Sequence, residues 1–418
     1  MRILHINTDD QNGGAARAAM RIHRSLRIIG EDSWLLAQKN LSGDPFVIRP
    51  NSIYQRLKCM VNSQTDGVLK KITYGDTLLP WSINAGVFDV TSQVIQEQKA
   101  DVVHLHWING GFFRIADIKE ISQPIVWTLH DSWPFTGGCH IPYECRKYET
   151  ACRNCPEISP RSKVDWSKHV FLQKIHCYPS QMCIVCPSKW LADAARASTL
   201  FRKYDIRVIP NGVDTYCYHP IEKKQAREIL NLPRNVQLVL FGAMRATSDS
   251  NKGYTYLYEA LQKLKNYTDR TMIHLLVFGS QEPQNSPNFG FPVHYLGRLY
   301  DDISLTVLYS AADVMVIPSK SENFPNVVLE AMSCGTPCVA FSVGGIPDQV
   351  DHKKNGFLAK PHDSDELAVG IAWVLKLEKD KQRTLSEAAR KKIVQNFSLI
   401  KMAREYQSLY EEIIQENA

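Results

Sequence analysis

The chain has 418 residues, a length that suits two domains better than a single core. With 44% hydrophobic and 22% charged residues it is neither disordered nor fibrous, and a formal charge of +6 from 49 basic and 43 acidic residues does not by itself point to a nucleic-acid partner. That modest positive balance fits phosphate-bearing ligands or an anionic membrane surface.

Met1 to Ile6 runs straight into a strand pattern and lacks the apolar stretch and small-residue cleavage site of a signal peptide. No run approaches the ~18 to 20 apolar residues of a spanning helix. The expectation is a cytoplasmic protein, at most peripheral on the inner face of the plasma membrane. Short apolar runs at Ile3 to Thr8, Ser33 to Gln38, Asp101 to His106, Ile125 to His130 and Cys183 to Pro187 alternate with helical stretches, as a parallel sheet covered on both faces requires.

After the first run, Asn12-Gly13-Gly14-Ala15-Ala16-Arg17 opens a helix, and two glycines let backbone amides approach a phosphate or sugar closely. Tyr54 to Tyr74 mixes apolar residues with Arg56, Lys58, Lys70 and Lys71. It reads as an amphipathic helix packed on its own domain, with a membrane-surface helix as the lesser alternative. His104 and His106 end one predicted strand, and Trp127-Thr128-Leu129-His130-Asp131 puts a His-Asp pair at the carboxyl end of the next.

Eleven cysteines without an export signal read as reduced thiols. Cys139, Cys145, Cys152 and Cys155 are spaced C-x5-C-x6-C-x2-C. That density suits a structural zinc site somewhat better than free thiols, and both better than two disulfides.

Asn211-Gly212 marks a hinge, because the strand-helix alternation restarts beyond it. Strands follow at Gln237 to Phe241, His274 to Phe278, Val314 to Ile317 and Pro337 to Phe341, with helical patterns near Tyr254 to Asn266, Ser304 to Ala311 and Asn326 to Cys334. The fold class expected is α/β, with two Rossmann-like, doubly wound parallel-sheet domains facing across a cleft. Residues 1–207 are expected to form the first domain, with a cysteine-rich insert at 139–155, and 208–390 the second. Residues 391–418 are a terminal helix returning toward the first domain.

The most informative stretch is Ser319 to Gly335. Ile317 ends a strand, Pro325 and Asn326 suit a helix entry, and Gly335 suits its C-terminal cap. Loops at the carboxyl ends of such strands bind ligands. Glu330 is a lone charge among Val327, Val328, Leu329, Ala331 and Met332. A carboxylate there is costly unless donors occupy its lone pairs, and a ribose diol supplies two. Glu322 sits in the loop within reach of sugar hydroxyls, and the amides near Asn323 to Asn326 open the helix toward an anion.

Glu322 to Glu330 resembles the E-x7-E motif of the retaining family 4 glycosyltransferases with GT-B architecture, and the similarity spans essentially the whole chain. It implies donor-sugar contacts for Glu322 and the amides of Asn323 and Phe324, and ribose contact for Glu330, with Asn326 and Val327 in the same nucleotide-sugar site. Arg245 and Lys252, which follow Phe241-Gly242, resemble the family's cationic clamp on the diphosphate, although the loop between them is longer and more polar than in many members. The same likeness gives Gly13, Gly14 and Arg17 a place near the donor phosphate and His130 a contact to the hexose.

Retention of anomeric configuration is implied by the family alone. A nucleoside diphosphate needs fixed positive charge as it leaves. The chain's one Asp-x-Asp, Asp363-Ser364-Asp365, reads as a helix cap, so the expectation is catalysis that requires no metal. Trp133 to Cys139 leading into Cys152 to Pro156 is similar to a segment of bacterial polysaccharide glycosyltransferases, which implies transfer of a hexose from a nucleotide diphosphate sugar to a glycan or lipid-linked acceptor in exopolysaccharide, capsule or O-antigen assembly. The alternatives are a nucleotide-sugar epimerase of the same fold and, on the cysteines alone, a zinc-dependent nucleic-acid-binding protein, for which basic and aromatic clusters are missing.

Overall fold

A computed structural model describes residues 1–50, 52–74, 81–158, 164–242, 249–268, 272–282, 288–299 and 301–417. The chain divides into two compact units, Met1–Asn211 with Met402–Ala418, and Gly212–Lys401. The division falls at Asn211 instead of 207, and residues 391–401 stay with the second unit, so only the part from Met402 onward joins the first.

The first unit holds a sheet of β1 (Arg2–Ile6), β2 (Asp32–Leu36), β3 (Val47–Ile48), β4 (Val102–Leu105), β5 (Ile125–Thr128), β6 (Cys183–Cys186) and β7 (Asp205–Val208). Their order is β3-β2-β1-β4-β5-β6-β7 and every pairing is parallel. Every residue of β4, β5 and β6 is buried, because helices cover both faces of a parallel sheet. The strand order reverses between β1 and β4, which opens a crevice at their carboxyl ends.

The second unit repeats the plan with β8 (Gln237–Gly242), β9 (Ile273–Phe278), β10 (Val293–Tyr295), β11 (Val314–Ile317), β12 (Cys338–Phe341) and β13 (Gly356–Ala359). The order is β10-β9-β8-β11-β12-β13, all parallel, and here the reversal lies between β8 and β11.

The end of the chain folds into the helices Ser364–Leu375, Lys379–Asn396 and Leu399–Asn417, so the terminal helix expected at 391–418 is broken before Leu399. Asp363 caps the first of these, its carboxylate accepting the amides of Asp365 and Glu366. The last helix seals the first sheet through two buried tyrosines, since a buried phenol needs a partner for its hydroxyl. The Tyr410 hydroxyl meets His104 Nδ1 at 2.7 Å, and that of Tyr406 meets Thr128 Oγ1 at 2.8 Å. Among the described residues, no helix is long and apolar enough to cross a membrane.

Candidate functional site

In the second unit the sequence-predicted residues gather at the carboxyl ends of β8 and β11, on either side of the strand reversal. Lys252 Nζ lies 2.7 Å from Glu322 Oε1, and both side chains are mostly buried. Burial opposes the charge on Lys252, but the Glu322 carboxylate outweighs it and the ammonium pKa is raised. A cation suited to phosphate and a carboxylate suited to sugar hydroxyls therefore stand side by side, as the two ends of a glycosyl phosphate bond require.

Backbone contacts lock this pair. Lys320 N donates to Asn251 O at 2.8 Å, and the buried Asn251 side chain donates to Ser321 O at 2.9 Å, so the turn before Lys252 is tied to the loop that carries Glu322. Gly253 has φ +70°, and a Cβ there would lie 1.8 Å from Pro318 O. Gly344 has φ +55°, its Cβ would lie 1.8 Å from Glu322 O, and the Gly345 amide donates to that same oxygen at 3.0 Å. Sequence reasoning assigned nothing to Gly253, Gly344 or Asn251. Their roles follow from close approach between segments distant in sequence, which no local pattern announces.

Glu330 sits buried in the helix Asn326–Ser333, where the Tyr309 hydroxyl donates to its Oε2 at 2.9 Å. That bond fixes the carboxylate, and Tyr309 is another member the sequence did not reveal. Pro325 caps the helix start and Asn326 is its first residue. The Phe324 ring packs edge-on against Phe397 at 5.4 Å, and Val327 packs partly buried against the same core. Their side chains anchor the loop and the start of the helix to the core of the second unit. Arg245 lies outside the described residues.

In the first unit, Gly13 takes φ +96° as the N-cap of the helix Gly14–Ile28, and the Arg17 amide donates to Gly13 O at 3.1 Å. A side chain at position 13 would be strained there, which explains a glycine at this turn. His130 belongs to a chain of imidazoles. His5 Nδ1 lies 2.9 Å from His106 Nε2, and His106 Nδ1 lies 3.1 Å from His130 Nε2. Register supplies the geometry, since β1 pairs His5 with His104 and so brings His106 just past the end of β4.

His106 is buried and neutral, so its single N–H can serve only one neighbour. His5 Nε2 is buried without a partner among the described residues, and an orphaned acceptor is less costly than an orphaned donor. An outward direction of donation, from His5 to His106 to His130, leaves an acceptor and not a donor unpaired at His5. Asp131 accepts from His140 Nδ1 at 2.7 Å, the Trp107 indole at 3.2 Å and the Trp133 amide at 2.8 Å.

Burial first of all pulls His5, His104 and His106 well below the usual imidazole pKa, and brings His23 and His130 to about 4. Their neutral forms stabilise the fold above pH 6.5. Below it the unfolded chain takes up protons that the folded one refuses, so stability falls as pH drops from 6.5 toward 4, by about 1.4 kcal/mol per pH unit for each such histidine. Denaturant unfolding at pH 7, 6 and 5 should show this steep loss in the first unit; a flat profile would contradict the buried neutral cluster.

Cys139, Cys145, Cys152 and Cys155 share one region of the first unit. Burial raises Cys139, Cys152 and Cys155, Cys152 to about 11, and the neighbouring thiols add to each rise. The four do not converge as a ligand group, however. Among the described residues, the atoms that lie within 4.8 Å of one another in a metal-competent group are those of His5, His104 and His106, and the nitrogens of His104 and His106 are taken by the hydrogen bonds above.

Two family models match the chain. Residues 235–377 fit the glycosyl transferases group 1 and residues 63–216 fit Glycosyltransferase Family 4, which places the Lys252, Glu322 and Glu330 site in the first and His130 in the second. The chain belongs to the family 4 glycosyltransferases of the GT-B fold.

This glycosyltransferase is 24% identical over 365 residues to the Escherichia coli protein named "Putative colanic acid biosynthesis glycosyl transferase WcaC", covering 81% of this chain and 83% of that one. It is 25% identical to the D-inositol 3-phosphate glycosyltransferase of Geodermatophilus obscurus, over 93% of this chain and 83% of the relative. Among solved structures, sucrose-phosphate synthase from Thermosynechococcus elongatus has a TM-score of 0.70 at 21% identity over 99% of both chains. The Anabaena protein HepE, solved in complex with UDP-glucose, has 0.67 at 18% over 99% and 100%. At such identities these two structures establish the shared fold.

Proposed function

We propose that this glycosyltransferase moves a hexose, with retention and without a catalytic metal, from a nucleotide diphosphate sugar to a glycan or lipid-linked acceptor in polysaccharide assembly. The observation that carries this reading is the Lys252–Glu322 pair, held by Asn251, Gly253 and Gly344 at the strand reversal of the second unit. Lys252 supplies fixed positive charge to the departing diphosphate, and Glu322 receives hydroxyls of the sugar. Glu330, pinned by Tyr309, accepts the ribose hydroxyls. His130 is the contact to the hexose from the first unit.

No side chain in this set needs to form a covalent intermediate, so attack on the same face as the leaving phosphate accounts for retention, with the protein positioning and stabilising charge. The likeness to WcaC favours polysaccharide assembly, and the UDP-glucose complex of HepE makes a uridine diphosphate sugar the first donor to try. The test is a thermal-shift screen of UDP, GDP, ADP and dTDP sugars on the native protein and its Glu330→Ala variant. One donor family should stabilise the native chain and lose that effect in the variant. Stabilisation by none, or equal stabilisation of both proteins, would overturn the proposal.

A further inference from the structure

The helix Ile53–Tyr74 is built inside out. Its inward positions are Cys59, Asn62 and Asp66, two of them polar, all buried and the polar pair engaged as clamps. The Asn62 side chain accepts the amides of Val87 and Phe88 at 2.9 Å and donates to Phe88 O at 2.8 Å, while Asp66 accepts the Ala85 amide at 2.8 Å. Its outward positions are mostly apolar, with exposed Gln64 and Lys71 among them. Ile53 is 85% exposed, Ile72 70%, Leu57 51% and Met60 51%, with Tyr54 and Val68 similarly exposed.

At about 100° per residue these six fall within an arc of about 120° centred away from the buried face. Arg56 flanks one edge of that arc and Lys58 the other, Lys71 lies within it, and Lys70 stands further round on the same side as Arg56. The helix contains one acidic residue, Asp66, and that one is buried, so the outward face carries cations alone. The 22 residues make a stripe about 33 Å long.

A helix normally turns its apolar stripe to the core. One that turns it to solvent, bordered on both sides by Lys and Arg, has the composition of an element lying in a lipid headgroup layer. We propose that the helix Ile53–Tyr74 is a docking surface for an anionic bilayer, lying flat with Ile53, Leu57, Met60, Val68 and Ile72 among the acyl chains and Arg56, Lys58, Lys70 and Lys71 at the lipid phosphates. Charge complementarity selects this occupant over a second copy of the chain, because two such faces would bring like charges together. The polar clamps on its inner side hold the helix in this orientation. The surface stands apart from the transferase reading, although a lipid-linked acceptor would give it a purpose.

The test is flotation of the full chain with vesicles of phosphatidylcholine alone and of phosphatidylcholine mixed with phosphatidylglycerol. The native protein should float with the anionic vesicles and not with the neutral ones. The Ile53→Ser, Leu57→Ser, Met60→Ser variant should lose binding by about tenfold or more. The Arg56→Gln, Lys70→Gln, Lys71→Gln variant should lose about a hundredfold, since each cation near the surface is worth about fivefold. The second variant keeps the test decisive if the first does not fold. Nucleotide-sugar thermal shifts on the same samples should be unchanged, which separates failure of docking from failure of the transferase reading. No binding to anionic vesicles, variants that bind like the native protein, or a native dimer abolished by the serine variant would each overturn the proposal.

Discussion

Replacing Lys252 with methionine is expected to lower turnover by about 10²- to 10³-fold, the usual loss when one fixed group that stabilises developing charge is removed from a site closed to water. Methionine keeps the length and apolar stem of lysine and removes only the ammonium. The loss should appear mainly in kcat, because the diphosphate gains charge as the glycosyl bond breaks and the interaction strengthens in the transition state. Lys252→Arg should recover part of the rate by restoring the charge opposite Glu322. Steady-state kinetics of sugar transfer check both. A methionine variant within a few fold of native turnover would show that Lys252 is a structural partner of Glu322 and nothing more.

Gly344→Val is expected to cost about 3 kcal/mol or more, combining a positive-φ penalty of about 1 to 2 kcal/mol with a clash that backbone must move to relieve. The added Cβ would stand 1.8 Å from the carbonyl oxygen of Glu322, which also accepts the Gly345 amide. For a unit of this size, melting should fall by about 6 to 12 °C, and donor-induced stabilisation should vanish because Glu322 is displaced. Gly43→Val is the control. Gly43 has φ +70° with nothing within 4 Å of an added Cβ, so it isolates the conformational part. Equal losses from the two variants would mean that the Gly344 contact does not hold Glu322.

Interior strands were legible in the sequence and edge strands were not. Continuous apolar runs gave β1, β2, β4, β5 and β6, and β8, β9, β11 and β12, within a residue or two. The four strands without a sequence signal, β3, β7, β10 and β13, are the edges of the two sheets. An edge strand is covered less completely. In β7 it alternates exposed Asp205 and Arg207 with buried Ile206, and β3 is only two residues long, so neither presents an apolar run.

The site divides in the same way. Glu330 stood out because a charge inside an apolar helix needs a reason, and Glu322 followed from its place in the loop after a strand. Their supports did not stand out. Tyr309 and Asn251 look like any tyrosine in a helix or asparagine in a loop until the chain closes on itself. His106 and His5 were readable only as strand residues, and their conversion into a directed hydrogen-bond chain depends on the β1–β4 register, which no motif encodes. The chain leaves the first unit at the Asn211-Gly212 turn read as the hinge, whereas the domain bound at 207 followed the strand pattern, which stops at Val208.

A crystal structure of the protein with UDP-glucose bound tests the central claim most directly. Ribose hydroxyls should lie within hydrogen-bond distance of the Glu330 carboxylate, and Lys252 Nζ should have turned from Glu322 to a diphosphate oxygen. A nucleotide that leaves Glu330 untouched, or a Lys252 that stays on Glu322 while the diphosphate sits elsewhere, would contradict it.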